Sequence, residues 1–97
     1  MPKFAFEWDP KKAIANRRKH GVSFDEASTV FDDPFAKNHD DDDHARDEPR
    51  EILVGRSLLG RLLIVSFTKR RYRLRIISAR RAATKERRYY ENPENAS

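Results

Sequence analysis

The 97-residue chain contains no cysteine, which excludes disulfides, thiolate metal sites and thiol nucleophiles. That fits a reducing cytoplasm and leaves packing to stabilise the fold. Long hydrophobic runs are missing as well. The longest apolar stretch, Leu62 to Phe67, is interrupted by Ser66 and is too short to span a bilayer. The N-terminal MPKFAFEWDP lacks the apolar centre of a signal peptide, so a soluble cytoplasmic protein without a membrane partner is expected. No internal repeat is visible. The length allows one domain, residues 1–97, and excludes an enzyme built from several layers.

Charge is abundant. Charged residues make up 38% of the chain against 37% apolar, so the core is thin, although six Phe, three Tyr and one Trp give it bulk. The charge is also unevenly placed: +2 over residues 1–30, −6 over 31–51 and +9 over 52–97, within a net +5. A C-terminal half this basic attracts phosphate backbones or an acidic protein, which makes nucleic acid the leading partner class.

Phe4, Phe6 and Trp8 alternate with Ala5 and Glu7, the period of a half-buried strand. Asp9-Pro10 then reads as an N-cap followed by proline at the first helical position, opening a helix to about His20 that Gly21 can cap. Its expected inner face is Ala13, Ile14 and Arg17. Ser23 and Glu26 form a capping-box pattern for a second helix with a Phe24, Ala27, Val30, Phe31 stripe, ended by Asp33-Pro34. Asn38 to Arg50 is nearly free of aliphatic side chains and reads as a polar loop. Ile52–Leu58, Leu62–Thr68 and Tyr72–Ala79 read as three strands of an antiparallel meander, with LLIVSF at the centre of the sheet. Ala82 to Tyr90 has helical spacing, and a frayed tail follows over 91–97. The fold class expected is α+β.

Several segments together carry a family signature: FEWDPKK (6–12), NRRKHGVSFDEASTVFDDP (16–34), HARDEPR (44–50), Gly55-Arg56 and RIISARRAATKERRYYE (75–91). In order and spacing the chain resembles the BrnT family of toxins over nearly its whole length. The resemblance implies a small cytoplasmic ribonuclease toxin of a bacterial type II toxin–antitoxin pair with a compact RelE-like fold. It also implies neutralisation by a DNA-binding antitoxin, BrnA, with operator DNA reached only through that antitoxin, and allows a toxin–antitoxin heterotetramer. Where the family often has serine after the motif histidine, this chain has Ala45.

RNA cleavage without a metal needs a base for the ribose 2′-hydroxyl, cations for the phosphorane-like charge and an acid for the leaving oxygen. Arginine suits the second role, because its planar fork binds two phosphate oxygens and stays ionised. Arg80, at a strand end, is the first candidate, and Arg56 converges on the same phosphate if the two strand ends share a face. For proton transfer the candidates are His20, His44, Lys19 and Glu48. Spacing alone equally allows Lys19 and His20 to be helix C-terminal cations, and Glu48 and Arg50 to be a local ion pair. Arg70, Arg71, Arg73, Arg75, Arg81 and Lys85 form the expected RNA-backbone track. Tyr72 offers a stacking surface, while Tyr89 and Tyr90 read as packing residues. The run HDDDDH (39–44) invites a metal reading, but four consecutive aspartates cannot converge on one ion, so no metal or cofactor is expected. A solvated acidic loop, or one folded over the basic face, is the alternative. The competing functions are an antitoxin-binding co-repressor module with a basic face and a generic RNA chaperone.

Overall fold

The computed structural model describes residues 4–41 and 48–92. The expectations for His44, Ala45, Asp42 and Asp43 of the aspartate run and the tail beyond residue 92 fall outside these residues. The elements in chain order are β1 (Ala5–Glu7), α1 (Pro10–His20), α2 (Phe24–Thr29) with a 3₁₀ turn (Val30–Asp32), β2 (Lys37–Asp40), β3 (Glu51–Arg56), β4 (Leu62–Arg70), β5 (Arg73–Arg81) and α3 (Thr84–Glu91). One five-stranded sheet has the order β1-β5-β4-β3-β2. β2 to β5 pair antiparallel, whereas β1 runs parallel to β5, so the sheet is mixed. The fold is α+β, as expected.

Local chemistry explains most boundaries. The Asp9 side chain accepts the Lys11 N–H at 2.9 Å, and Gly21 closes α1 in the left-handed region at φ 70°. Ser23 Oγ accepts the Glu26 N–H at 3.0 Å. Phe24, Ala27 and Val30 then enter the core with Leu53, Leu63, Val65, Phe67, Leu74, Ile76 and Ala79 of the sheet.

Four expectations are corrected. Asn38–Asp40, read as loop, belongs to edge strand β2, whose polar sequence has no strand signature because its pairing with β3 supplies the order. Ile14 is 58% exposed; the buried residue of α1 is Asn16. β3 ends at Arg56 and not at Leu58, because residues 57–60 form a turn closed by Gly60 N–H on the Ser57 carbonyl. β5 runs on to Arg81, so α3 starts at Thr84 rather than Ala82.

Two features set the geometry of β5. Ser66 pairs with Ser78 but Phe67 pairs with Ile76, so Ile77 is an extra residue in a β-bulge. Before it, Leu74 and Ile76 point to the core; after it, Ala79 does. Immediately beyond the bulge, Asn16 acts as a substitute strand: its Nδ2 donates to the Ala79 carbonyl (2.8 Å) and its Oδ1 accepts the Ala79 N–H (3.1 Å). The same Nδ2 donates to the Val22 carbonyl at 3.0 Å, so one buried amide seals the β5 edge and the end of α1. Asn16→Ala leaves these three backbone groups without their partner. The expected result is a loss of about 3 kcal/mol in urea unfolding; an unchanged midpoint would show that the edge is held by something else.

Candidate functional site

α1 and α2 pack against one side of β5 and the core, so the other side of the sheet is left to α3 and solvent. Because of the bulge, Arg75, Ile77, Ser78 and Arg80 all line depressions on this second side. Three depressions form a trough. The largest, about 690 Å³, lies between α3 and the sheet and is lined by His39, Ile52, Val54, Ile64, Lys85, Glu86 and Tyr89. Ile52 and Ile64 also line the next one, with Asp41, Arg50, Ser66, Ser78 and Arg80. Arg50 in turn lines the third, with Lys12, Glu48, Thr68, Arg70, Arg75 and Ile77.

Arg80 sits in the middle. Its Nη1 and Nη2 donate to Glu86 Oε1 (2.8 Å) and Oε2 (2.5 Å), and Nη1 also reaches the Arg81 carbonyl at 3.2 Å. Glu86 Oε1 accepts the Ala83 N–H at 2.8 Å as well, capping α3 in a position where alanine has no side-chain oxygen of its own. The hydrogen bonds from Arg80 hold the Glu86 carboxyl below its usual range against the opposing effect of burial, and His39 contributes charge from across the cleft. Glu86 in turn raises the Arg80 pKa, so the guanidinium stays ionised.

Helix α3 has no buried residue, and its far end is clipped by polar contacts. The Tyr90 hydroxyl donates to Asp33 Oδ2 (2.7 Å) and Lys37 Nζ donates to the Tyr89 carbonyl (2.6 Å). Burial, then the bond to Asp33, push the Tyr90 phenol up to about 12. Burial opposes ionisation of Asp33, yet the Arg56 backbone N–H (2.8 Å) and Tyr90 hold its carboxyl below the usual range. The cleft-facing Tyr89 ring has the Lys37 ammonium 4.9 Å over its centroid and the His39 ring edge-on at 5.8 Å.

The sequence-based candidates separate cleanly. Arg70, Arg75 and Lys85 line the trough with Arg80; Arg73, paired with Arg70 across the hairpin, lies at the same end. Arg71 is in the β4–β5 turn at φ 46°. Arg81, opposite Leu63, is on the core side, where its charge acts on Glu26. Arg56 is at the C-terminal end of α3, 3.7 Å from Glu91 and 5.8 Å from the Tyr90 ring centroid. Since Arg80 binds Glu86 and Arg56 faces Glu91, the two guanidiniums are attached about 7.5 Å apart along the helix and are not brought to one point. Lys19 and His20 end α1 and line none of these depressions; no described hydrogen bond or ion pair joins them to Arg80. Glu48 does pair, but with Arg70 rather than Arg50, through Oε2 at 3.0 Å and Oε1 at 2.7 Å. Glu7 accepts from Arg75 at 2.9 Å.

The trough also contains groups that the motif reading passed over: His39, Glu86 and Arg50. His39 was hidden in the acidic run. The signal that finds it is alternation, because His39 pairs with Ile52 and Lys37 with Val54, which puts both on the α3 side.

A family model described as the ribonuclease toxin BrnT of type II toxin–antitoxin systems matches residues 8–86. The chain belongs to this family. BrnT toxins are ribonucleases of type II pairs, so the family implies an antitoxin partner. The solved structure of the Brucella abortus ribonuclease toxin BrnT is similar in fold: TM-score 0.64 at 22% identity, covering 84% of this chain and 100% of that one. No curated protein sequence matches the chain. Among the described residues, no helix is long and apolar enough to cross a membrane.

The Glu86 clip has a defined pH dependence. Its carboxyl is held below the ordinary 4.5, so the contribution is complete above pH 4.5 and is lost as pH falls through the lowered value. In an NMR titration the Ala83 amide proton should shift with a midpoint below 4.5 in the wild type and stay flat in Glu86→Gln. A midpoint at or above 4.5 would contradict the ion pair.

Proposed function

We propose that this BrnT-family chain is a metal-independent endoribonuclease acting on single-stranded RNA laid along the trough, with all 97 residues serving as one toxin domain. The observation that carries this reading is the placement of Arg80 at the centre of a basic trough, held by Glu86, whose side chain lines the same cleft as His39. Arg80 and Arg50 take the scissile phosphate, the fork of Arg80 moving from carboxylate to phosphate oxygens. The ribose 2′-oxygen attacks phosphorus and loses its proton, and the bond to the 5′-oxygen breaks as that oxygen gains one. The products are a 2′,3′-cyclic phosphate and a 5′-hydroxyl. His39 is the proton carrier, and Glu86 positions Arg80. Arg70, Arg73, Arg75 and Lys85 carry the flanking backbone. In the cell this activity stops translation and growth in the cytoplasm, and a BrnA-like antitoxin neutralises it, with operator DNA bound through the antitoxin in a toxin–antitoxin heterotetramer.

A second reading, a catalytically weak antitoxin-binding co-repressor, is favoured by one observation. Arg70, Arg75 and Arg80 are all already paired with carboxylates of the chain. Cleavage of RNA in EDTA separates the two. The wild type is expected to cut, Arg80→Ala and His39→Ala each to lose at least about 100-fold, and the double variant Lys19→Ala/His20→Ala to stay within about threefold. Cutting that requires added Mg²⁺ would overturn the metal-independent chemistry. No cutting under either condition would favour the co-repressor.

A further inference from the structure

The cleft between α3 and the sheet has a character that phosphate binding does not use. Its floor is aliphatic: Val54 and Ile64 are 2% and 6% exposed, and Ile52 is half-buried. One wall is aromatic, formed by Tyr89 and His39, and the rim carries one cation, Lys85, and one carboxylate, Glu86. A backbone track needs only charge and reads no base; an apolar floor beside an aromatic wall gains nothing from a phosphate. At about 690 Å³ the cleft is within the usual size range of small-molecule sites, about 300–1,000 Å³.

We infer that this cleft is a nucleobase subsite, taking one unstacked base of single-stranded RNA whose phosphate lies on Arg80 and Arg50. Apolar walls receive the faces of a base, while Lys85 and the lone pairs that Glu86 retains meet its polar edge. The continuity of the trough supports the pairing. Ile52 and Ile64 are shared between the cleft and the Arg80–Arg50 depression, and Glu86 both lines the cleft and holds Arg80. A phosphate that replaces Glu86 on Arg80 therefore lies at the mouth of the cleft. This deepens the ribonuclease reading and rests on it, yet it makes a binding claim that is independent of cleavage.

The test compares ligands that differ only in the base. Ribose 5-phosphate and the four nucleoside 5′-monophosphates are titrated into the full chain and followed by NMR. All five should shift Arg50 and Arg80. At least one nucleotide should bind about tenfold more tightly than ribose 5-phosphate, consistent with base–aromatic stacking, and shift Ile52, Val54, Ile64 and Tyr89. Tyr89→Ala should bring that nucleotide to within about twofold of ribose 5-phosphate without altering the affinity for ribose 5-phosphate itself. Equal affinity for sugar phosphate and all nucleotides, as expected if the cleft instead receives an apolar antitoxin side chain, would overturn the subsite. So would base-dependent shifts confined to other parts of the molecule. The two ideas fail separately: nucleotide binding in a chain that cuts no RNA keeps the subsite and removes the ribonuclease, whereas cutting without base-dependent binding does the reverse.

Discussion

One extra residue in β5 decides which side chains meet. Under strict alternation Arg75 and Arg80 would project from opposite faces of the sheet, and no continuous basic trough would exist. The bulge at Ile77 reverses the parity, so Arg75 and Arg80 share a face while Leu74, Ile76 and Ala79 all remain in the core. A bulge is a local irregularity and needs to be fixed in register. Asn16 does this by bonding both backbone groups of Ala79, two residues beyond the extra one. The position of Arg80, the next residue, thus follows from a buried amide on α1, an element with no other part in the trough's centre.

The second determinant is the way α3 is held. A helix with no fully buried residue, only Glu86, Tyr89 and Tyr90 being half-buried, is placed largely by its ends, through Arg80 and the Ala83 cap at one and Asp33, Lys37 and Arg56 at the other. Polar clips hold the helix over the sheet and leave the aliphatic surface of Ile52, Val54 and Ile64 lining a cleft. The same clips keep the guanidiniums ordered before a ligand arrives. A half-exposed ion pair such as Arg80–Glu86 contributes little net stability, about 0–1 kcal/mol, so under the proposed function a phosphate would displace Glu86 at small cost and find the Arg80 donors already aimed.

Much of the fold was legible because its signals are local. Asp9-Pro10, Gly21 and the Ser23–Glu26 pair each specify a helix end through their own backbone chemistry, and LLIVSF could only be a central strand. Arg73 and Arg75 alternate with Leu74 and Ile76, a pattern that marks a strand but carries no sign of the bulge, which depends on pairing with β4. β2 was unreadable, since KNHD has no strand propensity and is ordered by β3. The same blindness hid His39. Motif residues gave Arg80, Arg70, Arg75 and Lys85, all of which line the trough, but grouped them with Lys19, His20 and Arg56, which the fold places elsewhere. Sequence spacing records that such residues accompany one another, not that they converge. The expectation for His44 lies outside the described residues.

The proposed function requires RNA on the α3 side of the sheet. The most direct measurement is NMR mapping of the chain with a single-stranded oligoribonucleotide made uncleavable by 2′-O-methylation. Shifts are expected along Arg75, Arg50, Arg80, Ile64, His39 and Tyr89, with the Lys19–His20 end of α1 unmoved. Shifts centred on that end of α1, with the trough silent, would contradict it.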